Sequence, residues 1–482
     1  MHVPSLPLTF PIKLAYGAGQ FAEGLKTGAL GAFLVFYYSQ VLGMPGSLAG
    51  LAVGTALIID AITDPLAGSI SDHWHSRWGR RHPFMLTAMI PMGICFYLLF
   101  SPPVRGDMAL FVWLVIFTNL TRTAMTFYTV PHLALGAELT TDFSGRVSLV
   151  GFRVFFSVFG TFAATMIGFQ FFFTPSAAFP VGQLDPSAYS PFAATLAALM
   201  VMSIFISAWG TRSAIPFLPK AVVEAPVSIL GVLRRTVVDM VAALRLPSFR
   251  WLFSGVLLVY LMIGTNSALD LYMYTYFWEY SSPDLVKLMP AYAVGIMIGS
   301  FFGPMFQQRF GKRGALLFGT VWWAVLQVLP IVLRLLGWFP DNDSDLLLPL
   351  MMAIRVVQGA GAVQANVAYG SAMADVADEN ELRSGRRQEG IFFSTSSFSS
   401  KFASGIGSFI AGIGLDLISF PRGAGIQTAA DVAPETIVHL GLVYGPLVLS
   451  FSFVTMWCYS HYALTRERHA EILRQLAERR SA

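Results

Sequence analysis

Apolar residues fill this chain in repeated stretches of about 20 residues or more, the length that an α-helix needs to cross a bilayer. Short polar segments separate the stretches. The pattern predicts an all-α membrane protein with twelve transmembrane helices, over residues 14–42, 47–71, 83–101, 108–136, 146–173, 191–214, 247–279, 286–307, 313–337, 346–376, 388–419 and 437–463. The longest of these helices must tilt, kink or extend beyond the lipid.

A longer polar segment divides the predicted helices into two groups of six. We expect a first six-helix bundle over residues 1–214, a cytoplasmic central loop over 215–246, a second bundle over 247–464 and a cytoplasmic tail over 465–482. The halves echo each other: residues 72–84 (DHWHSRWGRRHPF) and 307–318 (QQRFGKRGALLF) both place a glycine and a basic pair after a predicted helix. Transporters built from two parallel repeats show such a duplication.

The distribution of basic residues predicts the orientation. If both termini are cytoplasmic, the cytoplasmic segments hold 22 of the 31 Lys and Arg residues and the opposite side holds three. This asymmetry is typical of membrane proteins with a cytoplasmic N- and C-terminus, and we expect a bacterial inner membrane. The net charge of +4 does not indicate nucleic-acid binding, because the basic residues lie in short loops between the predicted helices. The expected partners are membrane lipid and a small solute, and the chain is expected to be a monomer.

Two aspartates lie near the middle of the second predicted helix. Asp60 and Asp64 are four residues apart, so both carboxylates share one face of a helix. An ionised acid at bilayer depth costs at least a few kcal/mol. A pair of them therefore needs a cation, a proton or a basic partner. The spacing favours a site for a cation or proton, and a structural salt bridge with Arg153 or Lys401 is the alternative.

Motifs for other functions do not occur in the sequence. Cys95 and Cys458 both fall in predicted helices, with no metal-ligand spacing and no disulfide framework. No HExxH, GxSxG or P-loop is found. We predict that the chain is not an enzyme, and that it needs no cofactor or metal beyond a coupling ion, Na⁺ or H⁺.

Several segments resemble the glycoside–pentoside–hexuronide:cation symporters of the major facilitator superfamily, the group of the melibiose permease. The most specific are residues 60–72 (DAITDPLAGSISD) and 76–84 (SRWGRRHPF), with 13–24 (KLAYGAGQFAEG), 130–140 (VPHLALGAELT) and 385–401 (GRRQEGIFFSTSSFSSK) in support. The resemblance covers both halves. It implies two pseudo-symmetric six-helix bundles that carry a solute by alternating access. Animal sodium-coupled lysophospholipid carriers share a similar DAITDP signature.

The resemblance also implies roles for single residues. In that family the two acids at the positions of Asp60 and Asp64 hold the coupling cation, helped by residues that correspond to Thr63 and Thr126. The acids that bind the galactoside in the melibiose permease align with Gly24 and Thr129, and its stacking tryptophan aligns with Ala134. The galactoside site as such is therefore missing, and the resemblance does not imply an α-galactoside specificity.

Polar residues on the first and fourth predicted helices are candidates for solute binding. Gln20, Glu23 and Lys26 recur at helical spacing, with an internal Glu23–Lys26 ion pair as the alternative. Asn119, Arg122, Thr126 and Thr129 form one stripe of the fourth helix. Arg122 could pair with Glu23, or it could bind an anionic group or a sugar hydroxyl. Its planar guanidinium suits a carboxylate, a sulfonate or a phosphate. The cavity interpretation predicts that Arg122→Lys weakens solute binding more than folding.

The second half offers a further set. Asn266, Asp270 and Tyr274 lie on one face of the seventh helix, and Arg355 lies on the tenth. Together with Arg153 and Lys401 these residues complete the solute-binding candidates. Trp322 and Trp323 fit lipid-facing or interfacial positions better than a solute site.

Charged loop residues are candidates for salt bridges that close the cytoplasmic side, although basic loops also serve topology alone. These gate candidates are Asp72, Arg77, Arg80, Arg81, Glu138, Arg146, Asp375 and Arg387.

These observations predict a secondary active transporter that couples Na⁺ or H⁺ to a sugar, glycoside or hexuronide-like solute. The basic residues inside the helices favour an anionic sugar, and the family favours a neutral glycoside. The loss of the sugar-binding acids and the Phe-rich helices leave a lipid-like or other amphiphilic solute as the alternative.

Overall fold

The structure, a computed structural model, describes residues 8–74, 76–140, 142–218, 231, 238, 240–385, 389–423 and 425–481. Within these residues the secondary structure is helical. Arg387 and most of the predicted central loop lie outside the described part. Contacts divide the chain into two units, residues 1–233 with 420–431 and residues 234–419 with 432–482.

The first unit contains six long helices. They are α1 (Phe10–Ala29), α2 (Gly46–Asp72), α3 (His82–Leu99), α4 (Asp107–Glu138), α5 (Phe143–Ile167) and α6 (Pro186–Gly210). Wider π-helical turns extend α1 through Leu30–Leu34 and Tyr37–Val41, so that the first span matches the predicted 14–42 apart from an earlier start. The segment 420–431, predicted in the second bundle, belongs to this unit, where Gly423 N–H donates to the Gln40 carbonyl at 2.9 Å.

The described part of the second unit contains seven α-helices. They are α7 (Pro247–Tyr272), α8 (Ser282–Leu335), α9 (Leu347–Ser384), α10 (Glu389–Leu417), α11 (Pro434–Tyr444), α12 (Pro446–Ser460) and α13 (Arg466–Ser481). The 54-residue α8 combines the predicted eighth and ninth spans, and it bends at Gly311, whose positive φ of 70° suits a residue without a Cβ. The predicted last span is divided at Gly445 into α11 and α12.

Nine helices in the described part of the chain are long and apolar enough to cross a membrane, with the whole of α8 counted once. Its two parts, together with α1 and α10, which carry more polar residues, complete the twelve predicted spans. The predicted all-α membrane fold is therefore observed. The predicted tail is itself helical: in α13 the side chains of Ile472 and Leu476 are buried in an apolar cluster with residues of α7 and α9.

Glycines set how closely the helices pack. A Cβ on Gly24 of α1 would approach the Ser157 carbonyl oxygen of α5 to 2.2 Å, and one on Gly264 of α7 would approach the Ser404 carbonyl oxygen of α10 to the same distance. Only glycine allows such an approach between backbones. The first and fifth predicted spans of each half (α1 with α5, and α7 with α10) therefore form a close pair, in agreement with the internal duplication.

Candidate cation and solute sites

The acidic pair lies where α2 packs against α4. Asp60 is 4% exposed and Asp64 is half-buried, so other parts of the protein cover much of both side chains. Pro65 follows directly and cannot donate a backbone hydrogen bond within α2, which loosens the helix at this point. The two acids thus occupy a locally weakened turn of a helix whose neighbour supplies polar groups.

One hydroxyl connects the two carboxylates. Thr126 Oγ1 of α4 lies 2.9 Å from Asp60 Oδ1 and 2.9 Å from Asp64 Oδ1. A threonine hydroxyl has a single proton to donate. Both contacts cannot be ordinary hydrogen bonds to ionised carboxylates at the same time, so three oxygens converge where a proton or a small cation would be held.

Arg122 binds the same cluster from α4. Its Nη1 donates to Asp60 Oδ2 at 3.0 Å, one helical turn before Thr126. The suggested pair between Arg122 and Glu23 is therefore wrong, because the side chain reaches α2 instead. Asp60 is held by a guanidinium on one oxygen and by a hydroxyl on the other.

Two other predicted residues near the pair have local partners. Thr63 Oγ1 donates to the Asp60 carbonyl of its own helix at 3.2 Å, so its hydroxyl is hydrogen-bonded to the backbone of α2. Asn119 Nδ2 donates to the Val115 carbonyl at 2.7 Å, while its Oδ1 is buried without a partner among the described residues.

Glu23 joins α1 to α4 through a different contact. Lys26 Nζ lies 2.7 Å from Glu23 Oε1, which is the internal ion pair given above as the alternative to a ligand site. Thr129 Oγ1 of α4 donates to Glu23 Oε2 at 3.3 Å. The sequence grouped Thr129 with the solute candidates, and the structure places it in this polar contact.

A buried histidine forms a second connection between α1 and α4. His132 Nε2 donates to the Tyr16 carbonyl oxygen at 2.9 Å, and its Nδ1 accepts from Gln20 Nε2 at 3.2 Å. Its ring stacks on Tyr16 with centroids 4.3 Å apart. Arg153 of α5 contacts the Tyr16 side chain.

The second unit contains a polar network centred on Arg355 of α9. Its guanidinium donates to Gln327 Oε1 and Gln358 Oε1, each at 2.9 Å, and to the Tyr274 hydroxyl at 3.1 Å. Gln327 Nε2 donates to the Tyr444 hydroxyl, which in turn donates to Asp270. The solute-binding candidates Asp270 and Tyr274 of α7 thus lie in one network with the candidate Arg355 of α9.

Sequence reasoning missed Gln327 and Tyr444, which complete this network. A lone glutamine within the apolar stretch 321–333 was the available signal. Asn266, one turn before Asp270, is 5% exposed, and both polar atoms of its amide lack a hydrogen-bond partner among the described residues. Lys401 is half-buried on α10.

The gate candidates of the first unit form a compact cluster at one end of its helices. Glu138 Oε1, at the end of α4, accepts from Arg80 at 2.8 Å and from Arg81 at 2.8 Å. Arg81 also contacts Asp72 at 2.5 Å. Arg77 is exposed, with no ion pair among the described residues, and Arg146 only donates to the Thr140 carbonyl at 3.1 Å. Among the described residues, neither arginine forms a salt bridge.

The second unit repeats this arrangement with different residues. Lys312, next to the bend of α8, contacts Asp375 of α9 at 2.6 Å. His469 of α13 lies 3.4 Å from Asp375 and 3.1 Å from Asp378. The sequence named Asp375 but neither of its partners, although the alignment of the two basic loops could have identified Lys312.

Comparison with known proteins supplies the remaining findings. Residues 15–466 match the family described as MFS/sugar transport protein. The isoprimeverose transporter of Lactiplantibacillus pentosus is 25% identical over 90% of this chain and 85% of that protein. The sodium-dependent lysophosphatidylcholine symporter 1-A of Danio rerio is 24% identical over 90% of this chain and 85% of that protein. An uncharacterized symporter of Synechocystis is 36% identical, but that match spans only 33% of this chain and 30% of the relative.

Among solved structures, the nucleoside transporter NupG superposes with a TM-score of 0.61 at 14% sequence identity, covering 94% of this chain and 99% of that one. At such an identity the likeness concerns the fold alone.

Proposed function

Because this chain belongs to the family of MFS/sugar transport proteins, which are membrane transporters and not enzymes, we propose that it couples a cation to the symport of a neutral, sugar-type solute. Alternating access of its two six-helix halves carries the solute across the membrane. The prediction from sequence agrees with the family and with the symporters among its relatives.

The single observation that supports the ion site is the hydroxyl shared by two carboxylates. Thr126 Oγ1 lies 2.9 Å from an oxygen of Asp60 and 2.9 Å from one of Asp64. Two ionised carboxylates that lie so near each other repel inside a membrane, and a bound proton or cation relieves this repulsion. Oxygen ligands are those that hard cations such as Na⁺ prefer over softer donors. We therefore assign coupling to Asp60, Asp64 and Thr126, with Na⁺ or H⁺ as the ion.

Arg122 would act as a competitor of the ion. Its guanidinium donates to one oxygen of Asp60 and thereby lowers the electrostatic cost of the buried acid when no other cation is bound. Binding of Na⁺ or H⁺ would weaken this contact and release Arg122 for rearrangement. An ion can shift the conformational equilibrium only through such a difference in contacts between states.

The pairing of the basic residues supports a neutral solute rather than a hexuronide. Lys26 contacts Glu23, and Arg355 belongs to the network that contains Asp270. An anionic sugar would have to displace these partners and leave buried charges uncompensated, at a cost of about 3–5 kcal/mol for a broken buried pair. The unpartnered amide of Asn266 offers both a donor and an acceptor, which suits a sugar hydroxyl.

An amphiphilic solute is the second candidate. The similarity to the lysophosphatidylcholine symporter of Danio rerio extends over most of the chain. The similarity to the isoprimeverose transporter is as extensive, and the family description names sugar transport. We therefore favour the sugar.

The test is uptake by proteoliposomes that contain the purified full chain. Neutral pentosides and hexosides, hexuronates and lysophospholipids are offered separately under an inward Na⁺ gradient or an inward H⁺ gradient, with protein-free liposomes as the control. We expect one gradient to drive accumulation of a neutral glycoside above its equilibrium level. Accumulation of a hexuronate or a lysophospholipid alone, or equal uptake without either gradient, would contradict the proposal.

A further inference from the structure

A partly open cavity lies within the second unit, lined by α7, α8, α9 and α12, and it includes none of the predicted solute-binding residues. Its volume is about 200 Å³. Five aromatic side chains contribute to its wall, namely Tyr260, Tyr292, Trp323, Tyr369 and Tyr459. Most of the other described residues that line it are aliphatic, and none of the lining residues is charged. The cavity thus differs in chemistry from the Arg355 network.

Several polar groups of this wall are hydrogen-bonded within the protein. The Tyr369 hydroxyl is hydrogen-bonded to Ser396, and Thr320 Oγ1 donates to the Leu316 carbonyl at 2.9 Å. Asn366 is exposed and has an amide available to a ligand. A sugar ring placed inside would bury several hydroxyls without partners, each at a substantial cost. The mainly apolar and aromatic lining therefore favours an apolar ring over a sugar ring, with a few polar groups such as the Asn366 amide able to form a hydrogen bond.

The size of the cavity limits the shape of that group. An engineered cavity of about 150 Å³ lined by Leu, Ile and Phe stays dry and binds benzene. A cavity of about 200 Å³ with an aromatic wall has room for one aromatic ring. A long acyl chain would not fit within it.

The cavity borders the polar network of the same unit. The Trp323 carbonyl accepts a hydrogen bond from Gln358 Nε2 at 3.1 Å, and Gln358 Oε1 accepts from Arg355. Tyr292, also in the wall, contacts the Trp323 side chain and lies close to Arg355. Apolar and polar surfaces therefore meet at Trp323, an arrangement that suits an amphipathic molecule with a sugar at one end and a ring at the other.

We propose that this cavity binds the aglycone ring of a neutral aryl glycoside, a substrate class that rests on the proposed function. The aromatic ring would lie among the tyrosines and Trp323, while the sugar hydroxyls meet the polar groups beyond them. Because ring burial adds hydrophobic free energy that a methyl aglycone lacks, a phenyl glycoside should bind about tenfold more tightly than the methyl glycoside of the same sugar.

The experiment compares methyl, phenyl and naphthyl xylosides, glucosides and galactosides by calorimetric binding to the purified full chain. Ala362→Leu places a larger side chain in the cavity and so reduces its volume, and Ile263→Ala shortens a side chain of the wall and so enlarges it. The exposed Ala353, on the same helix but outside the cavity, provides the matched control Ala353→Leu. Thermal unfolding of each variant reports folding separately.

The filled variant Ala362→Leu should lose the tenfold phenyl preference and keep its affinity for the methyl glycoside. The variant Ile263→Ala should instead gain affinity for the naphthyl glycoside, and the control variant should match the original chain. Methyl-glycoside binding with equal phenyl and methyl affinities in the original chain would refute the aglycone site and leave the proposed function intact. Failure of every glycoside to bind would contradict both.

Discussion

The central residue of the proposed ion site is Thr126. The sequence could identify Asp60 and Asp64 because two acids at a four-residue spacing are rare within an apolar helix, and the resemblance indicated Thr126. The partner of Arg122 could not be predicted in the same way. A stripe on α4 can face α1 or α2, and helix rotation is fixed by packing that no local pattern records. The structure resolves this choice, with Arg122 on Asp60 and Thr129 on Glu23.

Replacement of Thr126 tests its role as an ion ligand. Thr126→Val keeps the shape but removes the hydroxyl, whereas Thr126→Ser keeps the oxygen. A hydrogen bond to a charged group contributes about 1.5–3 kcal/mol, so the valine variant should bind the coupling ion about 10- to 100-fold more weakly. The ion concentration for half-maximal solute uptake measures this.

Thr121→Val is the matched control, because Thr121 is also buried on α4 and has no contact with the acids. It should leave the ion requirement unchanged. A serine variant as defective as the valine variant would argue for packing rather than ligation.

At the scale of elements, the sequence predicted the apolar spans well and the polar ends less well. Spans of predominantly apolar residues leave the helix as the structure that satisfies the backbone in lipid, and this constraint acts on the local sequence. The division of the last span at Gly445 and the assignment of 420–431 to the first unit depend on tertiary contacts. The same holds for α13, whose polar sequence gave little indication of a docked helix.

The docked helix α13 makes a prediction of its own. Ile472 is fully buried, while its neighbour Leu473 is 46% exposed. Ile472→Asp should lower the free energy of unfolding by about 2–5 kcal/mol, because it removes core packing and buries a charge. Leu473→Asp makes the same chemical change on the exposed side and should cost far less. Thermal unfolding of the purified variants gives the comparison, and equal losses would show that α13 is not packed as described.

The whole molecule repeats one design. Each unit pairs two helices closely through glycine, α1 with α5 and α7 with α10. Each also joins basic residues to an acid, Arg80 and Arg81 to Glu138 of α4 in one and Lys312 to Asp375 of α9 in the other. The loops carry this repeat in the sequence, but the polar centres do not match. The first unit has the acidic pair, and the second has the Arg355 network and an aromatic cavity. We infer a division of labour, with ion binding in the first unit.

The most direct test of this account separates ion coupling from solute movement. In proteoliposomes, Asp60→Asn and Asp64→Asn should abolish gradient-driven accumulation while solute counterflow, which needs no net ion flux, persists. Asp107→Asn, an exposed acid at the start of α4, should retain both activities. Accumulation at the original level in the Asp60 and Asp64 variants would contradict the assignment of the ion site to this pair.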